Sequence, residues 1–151
     1  MCGIFGYVGK QDNAARIVFE GLKLLEYRGY DSWGIAVKKA KKLIVDKRVG
    51  KIGDAKVNLS KSTIGIGHTR WATHGGVTVA NAHPHLDCKR EVAVIHNGIV
   101  ENFQELKEDL IKKGHTFLSE TDTEVMPHLI EENLKKEGFA SSVRDAFNRL
   151  K

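Results

Sequence analysis

About two-thirds of the way along this chain the period of the hydrophobic pattern changes, and that change limits the fold more than any other feature. Up to His96, short β-branched and aromatic runs recur: Gly3-Ile4-Phe5-Gly6-Tyr7-Val8, Trp33-Gly34-Ile35-Ala36-Val37, Leu43-Ile44-Val45, Ile64-Gly65-Ile66-Gly67-His68 and Val92-Ala93-Val94-Ile95-His96. Their length and punctuation predict strands. The first reads as a buried strand that another backbone or a ligand approaches closely. The second and third read as a hairpin with lysines at its turn. One helix intervenes, capped near Asp12, with Val18, Leu22 and Leu25 on one face. Beyond Asn97-Gly98 the pattern turns helical. Asn102-Phe103-Gln104-Glu105 has the form of a capping box, Phe103, Leu106, Leu110 and Ile111 make one face, and Gly114 is a stop. A further helix is expected from about Thr123 to Lys136, with Pro127 delaying its regular part. A last one is expected through Ser142, Val143, Asp145, Ala146, Phe147 and Leu150. Mixed strands and helices with antiparallel neighbours give an α+β fold, expected as one domain over residues 1–151.

Composition then excludes whole classes. At 41% hydrophobic and 28% charged over 151 residues, the chain has enough apolar material for a core. The net charge of +5 is densest at Lys38-Lys39-Ala40-Lys41-Lys42. Without interleaved aromatics this is a solvated turn and not a nucleic-acid surface. Two cysteines, Cys2 and Cys88, are too few for a disulfide scaffold. Met1 is followed directly by Cys2-Gly3, with no basic region and apolar leader, and no stretch reaches bilayer-spanning length. The expectation is a cytoplasmic protein.

Chemistry is concentrated in a few segments, each with a bland alternative. Removal of Met1 would make Cys2 amino-terminal, and a neutral α-amine, with a reference pKa of about 7.7–8, can serve its own thiol as base. Cys2 could equally be a small apolar residue near a chain start. His68-Thr69-Arg70-Trp71-Ala72-Thr73-His74-Gly75-Gly76 is the densest polar run. The planar fork of Arg70 suits a carboxylate, or stacks on Trp71 at a strand end. Asn97-Gly98 offers an amide and a backbone N–H, an oxyanion hole in form, and is also a common hairpin turn. Asp122 could hold an ammonium group or open a helix. The loop from His74 to Arg90 has a length that usually carries function. His68, His74, His83, His85 and Cys88 raise zinc, but no Cys-x-x-Cys or His-Glu-x-x-His spacing accompanies them, so no metal or other cofactor is expected. Cys88 reads as an inert buried thiol.

Taken in order, Met1-Cys2-Gly3-Ile4, Arg28-Gly29-Tyr30-Asp31-Ser32, His68 to Gly75, Asn81-Ala82-His83-Pro84-His85, His96-Asn97-Gly98-Ile99 and Ser119-Glu120-Thr121-Asp122-Thr123-Glu124 resemble the glutaminase domains of the glutamine–fructose-6-phosphate aminotransferases. These are class II glutamine amidotransferases with an amino-terminal nucleophile. The resemblance implies a hydrolase-like sandwich of antiparallel sheets flanked by helices, incomplete at its carboxyl end. It implies glutamine as substrate, Cys2 as nucleophile and Asn97 with Gly98 as the oxyanion hole. Arg70 would hold the α-carboxylate, Trp71, Thr73 and His74 would shape the pocket, Asp122 would hold the α-ammonium, and Arg28 would support the nucleophile. A sugar-phosphate isomerase domain, absent here, is the implied partner, with a homodimer in the full-length protein. A catalytically idle assembly module is the competing expectation.

Overall fold

Two hydrophobic clusters organise the molecule. A computed structural model describes residues 2–72, 75–136 and 138–151. In it β1 (Gly3–Val8), β2 (Ser32–Lys39), β3 (Lys42–Val49) and β4 (Ile64–Arg70) form a four-stranded antiparallel sheet in the order β1-β4-β2-β3. The expected hairpin is β2–β3, turned at Ala40 with φ 54°. Helix α1 (Ala14–Leu25) covers one face of this sheet, where Val18, Phe19 and Leu22 pack on Trp33, Ile35 and Val37. Its start differs from the expectation. Asn13 occupies the cap position without a side-chain cap bond, while the Asp12 carbonyl accepts the Ser62 N–H.

The first strand is not buried. Among the described residues β1 pairs with β4 alone, with Gly3 opposite Thr69 and Val8 opposite Ile64. Phe5 and Tyr7 reach the α1 cluster, while Ile4 and Val8 point away and are exposed.

The opposite face of the sheet is covered by residues 81–86. Gly34 makes this possible, because a Cβ there would stand 2.2 Å from the His83 carbonyl oxygen. The chain then forms a short ribbon, β5 (His85–Leu86) with β6 (Ala93–Val94). The longer strand expected over 92–96 does not develop. At its start the Asp87 carboxylate takes the N–H groups of Glu91 and Val92, each at 2.7 Å, and at its far end the His96 N–H goes to His83 Nδ1 at 3.4 Å.

Helices α2 (Phe103–Lys112), α3 (Val125–Leu134) and α4 (Phe139–Asn148) enclose the second cluster, Leu106, Leu110, Val125, Met126, Leu129, Ile130 and Ala146. Two details depart from expectation. Asn102 does not cap α2; its amide bonds the Arg149 carbonyl and the Lys151 N–H, fastening the chain's end. Ile111 lies off the apolar face and is exposed. Pro127 sits in the first turn of α3, where its missing N–H has no intrahelical partner to lose, and a 3-10 turn over Asp122–Glu124 leads into that helix. The result is α+β with antiparallel sheets. No helix among the described residues is long and apolar enough to cross a membrane.

Candidate active site

Alternation along β4 sorts its residues by face. Gly65 and Gly67 lie against Val18 and Leu22 of α1, so His68 and Arg70 project to the opposite side. The β1–β4 register then brings Cys2 to the end of β4. The Trp71 N–H donates to Cys2 Sγ at 3.2 Å, and the Gly3 N–H donates to Thr69 Oγ1 at 3.0 Å.

Residues 28–32 brace this corner. Gly29 allows the contact, since a Cβ there would lie 2.7 Å from the Arg70 carbonyl carbon. Asp31 donates its N–H to the Arg70 carbonyl at 3.2 Å and accepts the Ala72 N–H on its carboxylate. The Ser32 hydroxyl donates to the other Asp31 oxygen at 2.9 Å. Tyr30 packs its ring against Trp71 with centroids 5.2 Å apart. The guanidinium of Arg70 is buried and donates to the carbonyls of Gly76 at 3.1 Å and Gly75 at 3.4 Å.

Asn97 approaches from the other half of the molecule. Its Nδ2 donates to the Cys2 carbonyl at 3.0 Å, and its Oδ1 lies 2.8 Å from His68 Nε2. An amide oxygen only accepts, so His68 must carry its proton on Nε2. Burial drives the His68 pKa down to about 4, which keeps the ring neutral at pH 7. Behind it His83 and His85 continue a stack, at centroid separations of 4.2 and 4.5 Å. Burial also pushes His83 far below the usual imidazole range and His85 to about 3. His85 Nε2 bonds Thr121 Oγ1 at 2.9 Å, and His83 Nδ1 accepts the His96 N–H at 3.4 Å. These rings therefore position backbone and side chains, and among the described residues His68, His83 and His85 make no metal-ligating group with Cys88. Cys88 is not buried: it is exposed, with its sulfur against His115 and His128.

Asn97-Gly98 is not a hairpin turn either. β6 ends at Val94, the next element is α2, and Gly98 is not in the positive-φ region that such a turn requires. Asp122 is buried and accepts the Val100 N–H at 2.7 Å, fixing the segment that follows Gly98.

Cys2, Arg28, Arg70, Trp71, Asn97, Gly98 and Asp122 line one cavity of about 380 Å³. That lies in the ~300–1,000 Å³ range of small-molecule pockets. His96, Ile99, Thr121 and Thr123 line it too; they stand in the motifs quoted above, where no role was assigned to them. Thr73 and His74 lie outside the described residues. A larger cavity of about 850 Å³, between β3, the β5–β6 ribbon and α3, contains none of the expected site residues.

Comparison with known proteins gives the family and the fold. The family model described as a glutamine amidotransferase domain matches residues 51–137. An isomerizing glutamine–fructose-6-phosphate aminotransferase of Pyrococcus horikoshii is 54% identical over 156 aligned positions, covering 100% of this chain and 26% of the relative. The enzyme of the same name from Aquifex aeolicus is 58% identical over 139 positions, 89% of this chain and 23% of that one. The chain thus spans about a quarter of the length of the curated relatives it matches. Among solved structures, the glutamine phosphoribosylpyrophosphate amidotransferase of B. subtilis, complexed with ADP and GMP, superposes with TM-score 0.80 at 29% identity, over 100% of this chain and 33% of that one. A second, described as the allosteric regulatory enzyme of purine biosynthesis, gives 0.83 at 31%, with the same coverage. By sequence and by fold, the chain belongs to the glutamine amidotransferase domain family.

Proposed function

We propose that residues 1–151 form a class II glutaminase domain in which Cys2, made amino-terminal by removal of Met1, hydrolyses glutamine to glutamate and ammonia. The observation that carries the reading is the convergence of Cys2, Asn97, Arg70 and Asp122 on one cavity. In this reading the neutral α-amine takes the thiol proton, and sulfur attacks the side-chain amide carbon of glutamine. The amide π electrons move onto oxygen. Asn97 gives one Nδ2 hydrogen to the Cys2 carbonyl, which leaves the second for that oxyanion, together with the Gly98 N–H. The ammonium of Cys2 returns its proton to the departing nitrogen, and ammonia and a thioester result. Water, deprotonated by the same amine, then releases glutamate.

Recognition follows from charge at both ends of the substrate. Arg70 pairs with the α-carboxylate and Asp122 with the α-ammonium. Arg28, Trp71, Thr73 and His74 complete the pocket. The ammonia would serve glucosamine 6-phosphate formation in a sugar-phosphate isomerase domain outside this chain, within a cytoplasmic homodimer. The names and partial coverage of the aminotransferase relatives support that assignment.

The test is the intact mass of the purified chain before and after treatment with a diazoketone analogue of glutamine. Loss of the Met1 mass and one adduct on Cys2, suppressed by excess glutamine and absent in Cys2→Ala, is expected. No adduct on a chain that has lost Met1 would overturn the assignment in favour of an idle assembly module.

A further inference from the structure

We propose a structural zinc site made by Cys88, His115, His128 and Glu131, separate from the glutamine pocket and independent of the chemistry assigned to it. Three separate parts of the chain meet there. Cys88 follows β5, His115 follows α2, and His128 and Glu131 lie one turn apart on α3. All four ligand atoms lie within 4.8 Å of one another, and His115, His128 and Glu131 are buried.

Five of the six ligand-to-ligand distances match the edges of a zinc tetrahedron. Zinc bonds of ~2.0–2.1 Å to nitrogen or oxygen and ~2.3 Å to sulfur require ligand-to-ligand edges of roughly 3.3–3.6 Å. Cys88 Sγ is 3.7 Å from His115 Nδ1 and 3.6 Å from His128 Nδ1. The two Nδ1 atoms are 3.3 Å apart. Glu131 Oε2 is 3.2 Å from His115 Nδ1 and 3.6 Å from His128 Nδ1.

Protonation strengthens the case. His115 Nε2 faces a carboxylate oxygen of Glu132 at 2.9 Å and must donate to it, so in the neutral ring Nδ1 is a bare lone pair. That lone pair points at Glu131 Oε2, itself an acceptor. The Thr116 N–H donates to Cys88 Sγ at 3.4 Å, and the Cys88 N–H donates to Glu131 Oε2 at 3.1 Å. Acceptor atoms of Cys88, His115 and Glu131 therefore converge on one point, with N–H donors behind the sulfur and the carboxylate and the Glu132 acceptor behind the His115 ring, as around a metal; the His128 Nε2 lies 3.9 Å from Glu124 Oε1. A thiolate and a carboxylate balance the charge of Zn²⁺, and two neutral imidazoles complete a closed set of four with no open position. The role is structural: the ion would tie the β5–β6 ribbon to α3, the helix continuous with the turn that carries Asp122.

The test uses the full chain, refolding nothing, and needs no activity. After equilibration with zinc and dialysis against a weak chelator, elemental analysis is expected to find about one zinc per chain in wild type and in Cys2→Ala. Cobalt substitution is expected to give visible ligand-field bands with a thiolate charge-transfer band that Cys88→Ser removes. Glu132→Gln, which touches no metal ligand except His115 Nε2, is expected to weaken zinc ~10- to 100-fold. Zinc well below one per chain in wild type, or a cobalt spectrum without the thiolate band, would overturn the proposal.

Discussion

His68→Phe isolates the part of the proposed oxyanion hole that comes from orientation alone. The ring contact with His83 survives, and the hydrogen bond from Nε2 to Asn97 Oδ1 at 2.8 Å is lost. A neutral hydrogen bond is worth about 0.5–1.5 kcal/mol net, and a buried acceptor left unpaired costs ~1–3 kcal/mol. Asn97 recovers part of that by rotating, which turns Nδ2 away from Cys2. A loss of about 1–2 kcal/mol, or ~5- to 30-fold in kcat, is expected with KM little changed. Asn97→Ala removes the donor itself and is expected to cost ~100- to 1,000-fold. The diagnostic is the double variant: with no amide to orient, His68→Phe should add almost nothing to Asn97→Ala. Initial rates of ammonia release at saturating and limiting glutamine measure all four corners of the cycle. If His68→Phe lowers kcat equally in both backgrounds, the ring acts elsewhere and the positioning argument fails.

Three further outcomes follow from the same geometry. His68 and His85 have folded pKa values of about 4 and 3, below the ordinary value near 6.5, so the unfolded chain binds more protons as pH falls through that interval. Stability is then fully present above about pH 6.5 and declines below it, by up to about 1.4 kcal/mol per pH unit per ring; urea midpoints that stay flat from pH 7 to 5 would refute this. Asp122→Asn keeps an acceptor for the Val100 N–H but removes the charge, so kcat/KM for glutamine should fall ~10- to 100-fold with little change in thermal midpoint. Gly34→Ala drives a methyl group into the His83 carbonyl at 2.2 Å, and a loss of about 1–3 kcal/mol in denaturant stability is expected.

Sequence pattern located most elements because their causes are local. Val18 and Leu22 mark the buried face of α1 by spacing alone, and they pack on Trp33, Ile35 and Val37 of the strand whose run was read from its composition. Elements failed where a side chain intercepts backbone bonds. Asp87 takes the Val92 N–H at the start of the expected strand and His83 the His96 N–H at its far end, and Asn102 serves Arg149 and Lys151 instead of its own helix. The candidate site was legible as motifs, but not how its parts are held. His68 and Asn97 are 29 residues apart, and only the folded register shows that one fixes the other. The Cys88, His115, His128 and Glu131 cluster escaped because its ligands come from three segments, and its one short spacing, His128 to Glu131, looks like any polar pair on a helix until the buried face of α3 is known.

The outer position of β1 has a dynamic consequence. Local opening of a protein scales with the contacts a segment gives up, and outer strands with little apolar cover open before the core does. β1 is paired in its sheet with β4 alone among the described residues, and while Phe5 and Tyr7 pack on the α1 cluster, Ile4 and Val8 bury little. Detaching it removes Cys2 from Trp71 and Asn97 while the β2–β4 pairing and the helical cluster stay intact. Amide exchange along residues 3–8, compared with that of β4 facing β2, would therefore report assembly of the nucleophile's corner as an equilibrium of its own, distinct from global unfolding.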